Sequence, residues 1–381
     1  VDRGEALLRR AMAVAPRNAA VAANLGWALA ESGRYEVGIG YLTDALAAKP
    51  DDPELRIMRS LIDVKHGNYA RGWRDYRARF ESKLYVGRPF KFRQWDSESL
   101  AGKRVLVYGE QGLGDEIMFA SCLPDLFEEA AACYLDCDPR LARLFERSFA
   151  ATSVFGTTQR DPAPVWVDSI GSVDFQLPIG DLACKYRTTP EAFPQRPRYL
   201  CAGARRVAQY RERLNALGPG IKVGLSWRGG TSSTRGSLRS IGLAPLAAGL
   251  RDVPAHWISL QYGQSDAEIA AARVSGFVVH HWEEAIADYD ETAALVEALD
   301  VVVSVCTSVV HLAGALGRPT LVIVPAIADW RFGEKGEGLP WHPTVRLLRQ
   351  RRPREWGDVL ARLRDALISQ GSDGTADGES D

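Results

Sequence analysis

Long apolar runs are missing from this chain of 381 residues, and so is any excess of charge. No stretch approaches the roughly 18 consecutive apolar residues that cross a bilayer, and no charged-then-apolar leader opens it. The sequence therefore predicts no integral membrane segment. Its 47 basic residues are matched by 48 acidic ones. That balance removes the electrostatic footprint of a nucleic-acid binder and of an anchor to anionic lipid. Cysteine is scarce, six in all and without paired short spacings, which reads as the reduced thiols of a cytoplasmic protein. Cys133 and Cys137 lie four apart, but no second pair or His cluster accompanies them, so zinc is not expected. An initiating Met is also missing. The chain opens at Val1 inside a helical pattern, the start expected of a piece of a longer protein.

What is present first is a repeat. Gly4, Gly38 and Gly72 are spaced by 34, as are Gly33 and Gly67, Tyr35 and Tyr69, Leu8 and Leu42, Ala11 and Ala45, and Pro16 and Pro50. That period, with small residues at helix crossings and Pro after the second helix, resembles the tetratricopeptide repeat. Residues 1–80 are assigned to it. The third unit carries Arg59 and Asp63 at positions that should be apolar, so it is expected to face the next domain as a cap. A repeat array offers a concave surface for a protein partner.

Residues 81–101, with Trp95 among aromatic and basic neighbours, read as a packed connector. From Lys103 the pattern becomes short apolar strands alternating with helices, the signature of parallel sheets. Strands are predicted at 104–108, 132–135, 174–177, 223–227, 256–260, 277–280, 301–305 and 321–324. A helix is placed over 116–127, another over 205–216, and a closing one over 356–368. The fold class is thus α plus α/β: helical repeats, then two doubly wound, Rossmann-like halves at 102–200 and 201–369. A Gly, Ser and Asp-rich end, 370–381, reads as a disordered tail. Two such halves hold a ligand between the carboxyl ends of their sheets.

The candidate residues cluster where strands end. Thr307, Ser308 and His311 fall on the first turn of a helix that follows the strand 301–305. A helix N-terminus offers unpaired N–H groups and partial positive charge, which suits a diphosphate. Gly112 and Gly114 let an earlier strand-to-helix turn run close to a ligand. There Asp115 is either a helix cap or a general base for an acceptor hydroxyl, with Glu116 and Glu110 able to share the role. Trp227, Arg228, Arg235 and Arg239 lie on a loop that could offer cations to phosphate. Gln261 and Tyr262 follow the next strand, Asp288 opens a helix, and Trp330 and Arg331 end the last strand. Asp136-Cys137-Asp138 has the spacing of a metal-binding Asp-x-Asp pair but precedes Pro139 and a helix. It is read as loop and cap, and no metal is expected.

Residues 108–120 (YGEQGLGDEIMFA) resemble the first turn of bacterial heptosyltransferase-type glycosyltransferases of the GT-B fold. Residues 223–227 (VGLSW), 259–261 (SLQ), 288–294 (DYDETAA) and 304–317 (SVCTSVVHLAGALG) are similar to their later motifs. Residues 339–350 (LPWHPTVRLLRQ) resemble the tail of the subset that carries tetratricopeptide repeats. The architecture is also similar to flagellin glycosyltransferases and to O-GlcNAc transferases. The resemblance implies inverting, metal-independent transfer from a nucleotide sugar, with no cofactor. Asp115 matches the catalytic aspartate of such enzymes, and Thr307, Ser308 and His311 match the diphosphate-binding turn. Cys306 stands where such motifs carry Asp, which implies a donor sugar other than heptose or a weakened activity. Three readings stay open: O-glycosylation of a protein Ser or Thr recruited by the repeats, flagellin being one such acceptor; transfer to lipopolysaccharide or polysaccharide; and an inactive adaptor that kept the fold.

Overall fold

The structure, a computed structural model, describes residues 2–82, 87–88, 90–158, 161, 164–230 and 236–376. It opens with helices α1 (Asp2–Val14), α2 (Ala19–Glu31), α3 (Tyr35–Ala48), α4 (Pro53–Lys65) and α5 (Tyr69–Tyr76). Asn18 caps α2 by accepting from the N–H groups of Ala20 and Val21, and Asp52 caps α4 ahead of Pro53. Gly26 and Gly38 set the closest crossing: a Cβ on either would lie within 2.6 Å of the other's carbonyl oxygen. The small residues of the repeat therefore fix how near α2 and α3 pack. The polar residues of the third unit are paired. Asp63 is fully buried between Arg71 and the Tyr35 hydroxyl, and Arg59 pairs with Asp75 at 2.6 Å.

After the connector come β1 (Arg104–Tyr108), α6 (Leu113–Ala120), α7 (Leu123–Phe127), β2 (Ala132–Cys137), α8 (Ala142–Ser148), β3 (Thr152–Gly156), β4 (Phe175–Pro178) and α9 (Leu182–Tyr186). Helix α10 (Ala204–Asn215) leads to β5 (Ile221–Ser226), α11 (Leu243–Leu250), β6 (Ala255–Ser259), α12 (Asp266–Val274), β7 (Val279–His280), α13 (Glu283–Ala287), α14 (Tyr289–Ala298), β8 (Val301–Val305), α15 (Ser308–Ala315) and β9 (Thr320–Val324). A short hairpin, β10 (Gly338–Leu339) with β11 (His342–Arg349), and α16 (Gly357–Ala376) complete it.

Among the described residues the first sheet has the order β3-β2-β1-β4, all parallel, with Val107 opposite Leu135 on one side and Leu177 on the other. The second runs β10-β11-β9-β8-β5-β6-β7, parallel except at the β10–β11 edge. The chain reverses direction of winding beside β1 in one sheet and between β5 and β8 in the other. Those are the switch points where α/β sheets open a crevice. This is the helical-repeat plus double α/β arrangement expected from the sequence.

Three local expectations need correction. The helix placed over 116–127 is two, broken at Ser121 and Cys122 where Pro124 cannot donate to a continuing ladder. Strands β3 and β11 were not foreseen; β3 is only half-buried and β11 begins His-Pro-Thr, so neither shows an apolar run. The end is not a tail from 370 onward. Helix α16 buries Val359, Leu363 and Leu367 against the second sheet and continues to Ala376, because extending a formed helix adds a hydrogen bond per residue fixed.

One hydrophobic cluster runs through all three parts. Trp73 of α5 stands edge-on to Phe119 of α6 and to Trp330 and Trp341 beyond β9, with ring centroids 5.8 to 6.0 Å away. The Trp73 indole N–H donates to the carbonyl of Arg187 at 2.9 Å.

Candidate functional site

Two strand-to-helix turns meet. A Cβ placed on Gly114 would lie 3.2 Å from Cα of Ser308 and 3.3 Å from Cδ2 of His311. The first turn of α6 and the first turn of α15 thus touch, one from each sheet, and glycine permits the approach. On the second half, Gly229 is equally constrained, since a Cβ there would fall 2.4 Å from Cγ2 of Thr307. Three turns that follow strands therefore converge at the switch points.

On the first turn, Gln111 has φ of +63°, a strained conformation for a residue with a side chain. Its amide donates to the Tyr76 hydroxyl of α5 and to Glu110. Glu110 is taken up entirely by structure. It accepts from Arg79, which is fully buried, and from the N–H of Gly180 at 3.0 Å. Asp181 completes the cluster, 2.8 Å from Arg79. Asp115 is nearly buried and accepts from Nε of Arg331 at 2.6 Å. Arg331 also pairs with Asp329 at 2.7 Å and reaches toward Gln111. Burial alone would depress this guanidinium, but the two carboxylates outweigh it and hold it charged. Glu116 is on the same turn yet faces away, accepting from the N–H of Asp138 at 2.9 Å. Burial raises its carboxyl to about 8, so it is largely protonated at neutral pH.

On the second turn, Thr307 caps α15: its hydroxyl accepts from Val309 and lies 3.1 Å from that of Ser304. Ser308 remains half-exposed at the contact. His311 is buried with Nδ1 3.2 Å from Nε2 of His342. Burial, then its neighbour His342, pushes the His311 imidazole far below its ordinary value, so it is neutral.

The remaining candidates separate. Gln261 is buried and clips the loop after β5, accepting from the N–H groups of Trp227 and Arg228 and donating back to the carbonyls of Arg228 and Tyr262. Trp227 is fully buried and Arg228 pairs with Glu268 at 2.8 Å. The Trp227 indole N–H donates to Glu268 at 3.1 Å, whereas the Arg228 side chain stays more than a third exposed. Tyr262 is 77% exposed, at the open edge. Asp288 is the cap of α14, bound to Asp290 and Glu291. Cys306 is buried with its thiol toward the carbonyl of Ile323, not toward the crevice. Trp330 belongs to the aromatic cluster. Arg239 sits half-buried on the far limb of the loop, and Arg235 lies outside the described residues. Asp136 is buried against Arg88 at 3.1 Å and Asp138 pairs with Arg140, so both carboxylates of the Asp-x-Asp pair are committed. No group of three metal-ligating side chains occurs among the described residues.

Sequence reasoning missed Tyr76, Arg79 and His342. The first two sit in what reads as a repeat helix, and nothing in a period of 34 marks them. His342 could have been suspected from a His-Pro pair in an otherwise apolar stretch.

Comparison with known proteins bears on the fold. The tetratricopeptide-repeat family profile matches residues 1–62. Protein FlbA of Caulobacter vibrioides is 32% identical over 368 residues, covering 90% of this chain. The chain spans 60% of the length of that relative. Among solved structures, ADP-heptose lipopolysaccharide heptosyltransferase II of E. coli aligns with a TM-score of 0.48 at 14% identity, over 71% of this chain and 99% of its own. A family 9 glycosyl transferase of Veillonella parvula aligns with a TM-score of 0.48 at 12% identity, over 73% of this chain and 98% of its own.

Proposed function

We propose that this chain transfers a sugar from a nucleotide-sugar donor to an acceptor hydroxyl, with inversion and without a metal ion. The acceptor is a protein Ser or Thr brought by the helical repeats, and flagellin is one candidate. The observation that carries this is the direct contact of the Gly114–Asp115 turn with the Ser308–His311 turn, a carboxylate and a helix N-terminus meeting between two sheets.

In this reading the second half binds the donor. Its diphosphate lies on the N-terminal turn of α15, beside Ser308 and His311, where backbone dipoles favour negative charge. Asp115 accepts the proton of the acceptor hydroxyl as its oxygen bonds to the anomeric carbon. The bond from that carbon to the diphosphate breaks on the opposite face, and the nucleoside diphosphate leaves with the electron pair. Arg331 stands at 2.6 Å from the proposed base. With a donor present it turns from Asp115 to the diphosphate, which both frees the carboxylate and supplies the charge a metal would otherwise give. That pairing also favours the alternative of an inactive adaptor, in which Arg331 never lets go.

A thermal-shift screen against UDP, GDP, ADP and CMP sugars separates the two. Transfer requires that one donor raise the melting temperature of the parent and not of His311→Ala. Asp115→Asn should keep that stabilisation and lose turnover of a co-purified acceptor by about a hundredfold or more, the usual scale for a general base. A chain that no nucleotide sugar stabilises ends the case for transfer.

A further inference from the structure

The His311–His342 contact decides where a proton sits, and the consequence reaches the crevice. His342 opens β11 and is fully buried. Its ring fits only because residue 314 is glycine: a Cβ there would lie 2.4 Å from Cγ of His342. Tyr199 stacks alongside, 14° from parallel. Nε2 of His342 is 3.2 Å from Nδ1 of His311, and Nδ1 of His342 is buried without a hydrogen-bond partner. The other edge of His311 faces the acidic turn, its Cδ2 lying 3.3 Å from where a Gly114 Cβ would be. Nε2 adjoins that carbon.

Both rings are neutral, since burial holds His342 down at about 3 and His311 well below its usual value. Each therefore carries one proton, and two arrangements are possible. If His311 donates from Nδ1, then His342 must carry its own proton on Nδ1, a buried N–H with nothing to accept it. If His342 donates from Nε2, the orphan is a bare lone pair. Buried N–H groups without acceptors are the rarer of the two. The second arrangement leaves His311 with its proton on Nε2, toward the contact with α6.

We propose that His342 is a positioning residue that fixes His311 as the Nε2–H tautomer, giving the crevice a neutral N–H donor for a phosphate oxygen of the donor's diphosphate. The diphosphate half of this rests on the function proposed above. The tautomer half does not.

Imidazole nitrogen NMR of the free chain at pH 7 reads the tautomer directly and needs no variant to fold. His311 should show a protonated Nε2 and a bare Nδ1; the reverse overturns the proposal. His342→Gln keeps a donor near the same point and His342→Phe removes it, so the Gln variant should retain the parental signature and the Phe variant should lose it. Titration with UDP, GDP and ADP then tests the purpose. The diphosphate that binds the parent should bind His342→Phe roughly tenfold more weakly, the loss of one hydrogen bond to a charged group, and His342→Gln should stay within about threefold. Equal affinity for the Phe variant overturns the role in binding. A parent with the expected tautomer that binds none of the three supports the assignment and overturns the nucleotide reading.

Discussion

The first two repeat units and the third look alike in period and behave as different objects. Helices α2 and α3 bury Leu42, Ile39 and Ala23 in a small core, which Leu55 and Ile62 of α4 close. The third unit has surrendered its independence. Trp73 and Tyr76 of α5 belong to the large cluster of the α/β body, and Arg79 just beyond binds the Glu110 end of the acidic turn. Lys65 at the end of α4 is buried between Glu31 and Glu334, at 2.9 and 3.1 Å, tying the front of the array to the loop that carries Arg331. Both walls of the candidate site are therefore gripped by the last repeat. The unit whose sequence looks worn is the one built into the site.

The largest test of that difference removes the hub. Trp73→Ala should cost about 3–5 kcal/mol, the range for emptying a large buried aromatic site, and should lower the unfolding transition of both sheets together. Denaturant unfolding followed by far-ultraviolet dichroism reads it. If only the helical signal moves and the sheets unfold as before, the third unit is not part of the body. Leu42→Ala is the counterpart in the front core. It should cost about 2–4 kcal/mol but fall on the repeats, giving early loss of helix while the α/β transition holds. A single shifted transition would show the two regions to be one cooperative unit instead.

These contrasts explain what was legible beforehand. Strand 301–305 and the turn after it could be read from sequence because burial on both faces leaves a continuous apolar run, and a hydroxyl pair marks the cap. The 34-residue period gave the helices. The pairing of Asp115 with Arg331 was invisible, since 216 residues separate them and no local pattern encodes a contact between halves. Trp227 and Gln261 lie at strand ends, which in sequence reads as a place in the crevice, and Cys306 stands at a motif position that such enzymes fill with Asp. The end of a strand fixes where a backbone emerges but not which way a side chain turns, and all three turn into the core.

Glu116 sharpens the distinction between the two carboxylates of the acidic turn, at a smaller scale. Asp115 is paired with a cation, whereas Glu116 is buried and its carboxyl raised from 4.5 to about 8. The folded state therefore binds this proton more tightly than the unfolded chain. Its contribution is intact below the unfolded value and is lost as pH rises from about 5 toward 8. Glu116→Gln removes the proton and the penalty together while still able to accept from Asp138. Normalised to the parent near pH 5, the variant should exceed it by roughly 3 kcal/mol at pH 8. Melting curves across that range read the difference. The two histidines are common to both chains and act below about 6.5, so they cancel. A gap that does not grow with pH would place the Glu116 carboxylate charged and solvated, and would put it back among candidates for the base.

The smallest expected effect lies at the far front of the array. Asn18 accepts from the N–H groups of Ala20 and Val21, at 3.0 and 3.2 Å, both within the array. Asn18→Ala should cost about 1 kcal/mol, the usual worth of an N-cap, and the loss should appear as fraying of α2 in amide exchange, with the exchange of β1 and β8 unchanged. Under the proposed function, in which an acceptor docks on the front units, acceptor affinity should fall with it while donor binding stays constant, because α2 carries the crossing with Gly38. Should donor binding fall as well, the front units would be coupled to the crevice through Lys65 and Glu334, and the repeats would act on the site rather than only deliver to it.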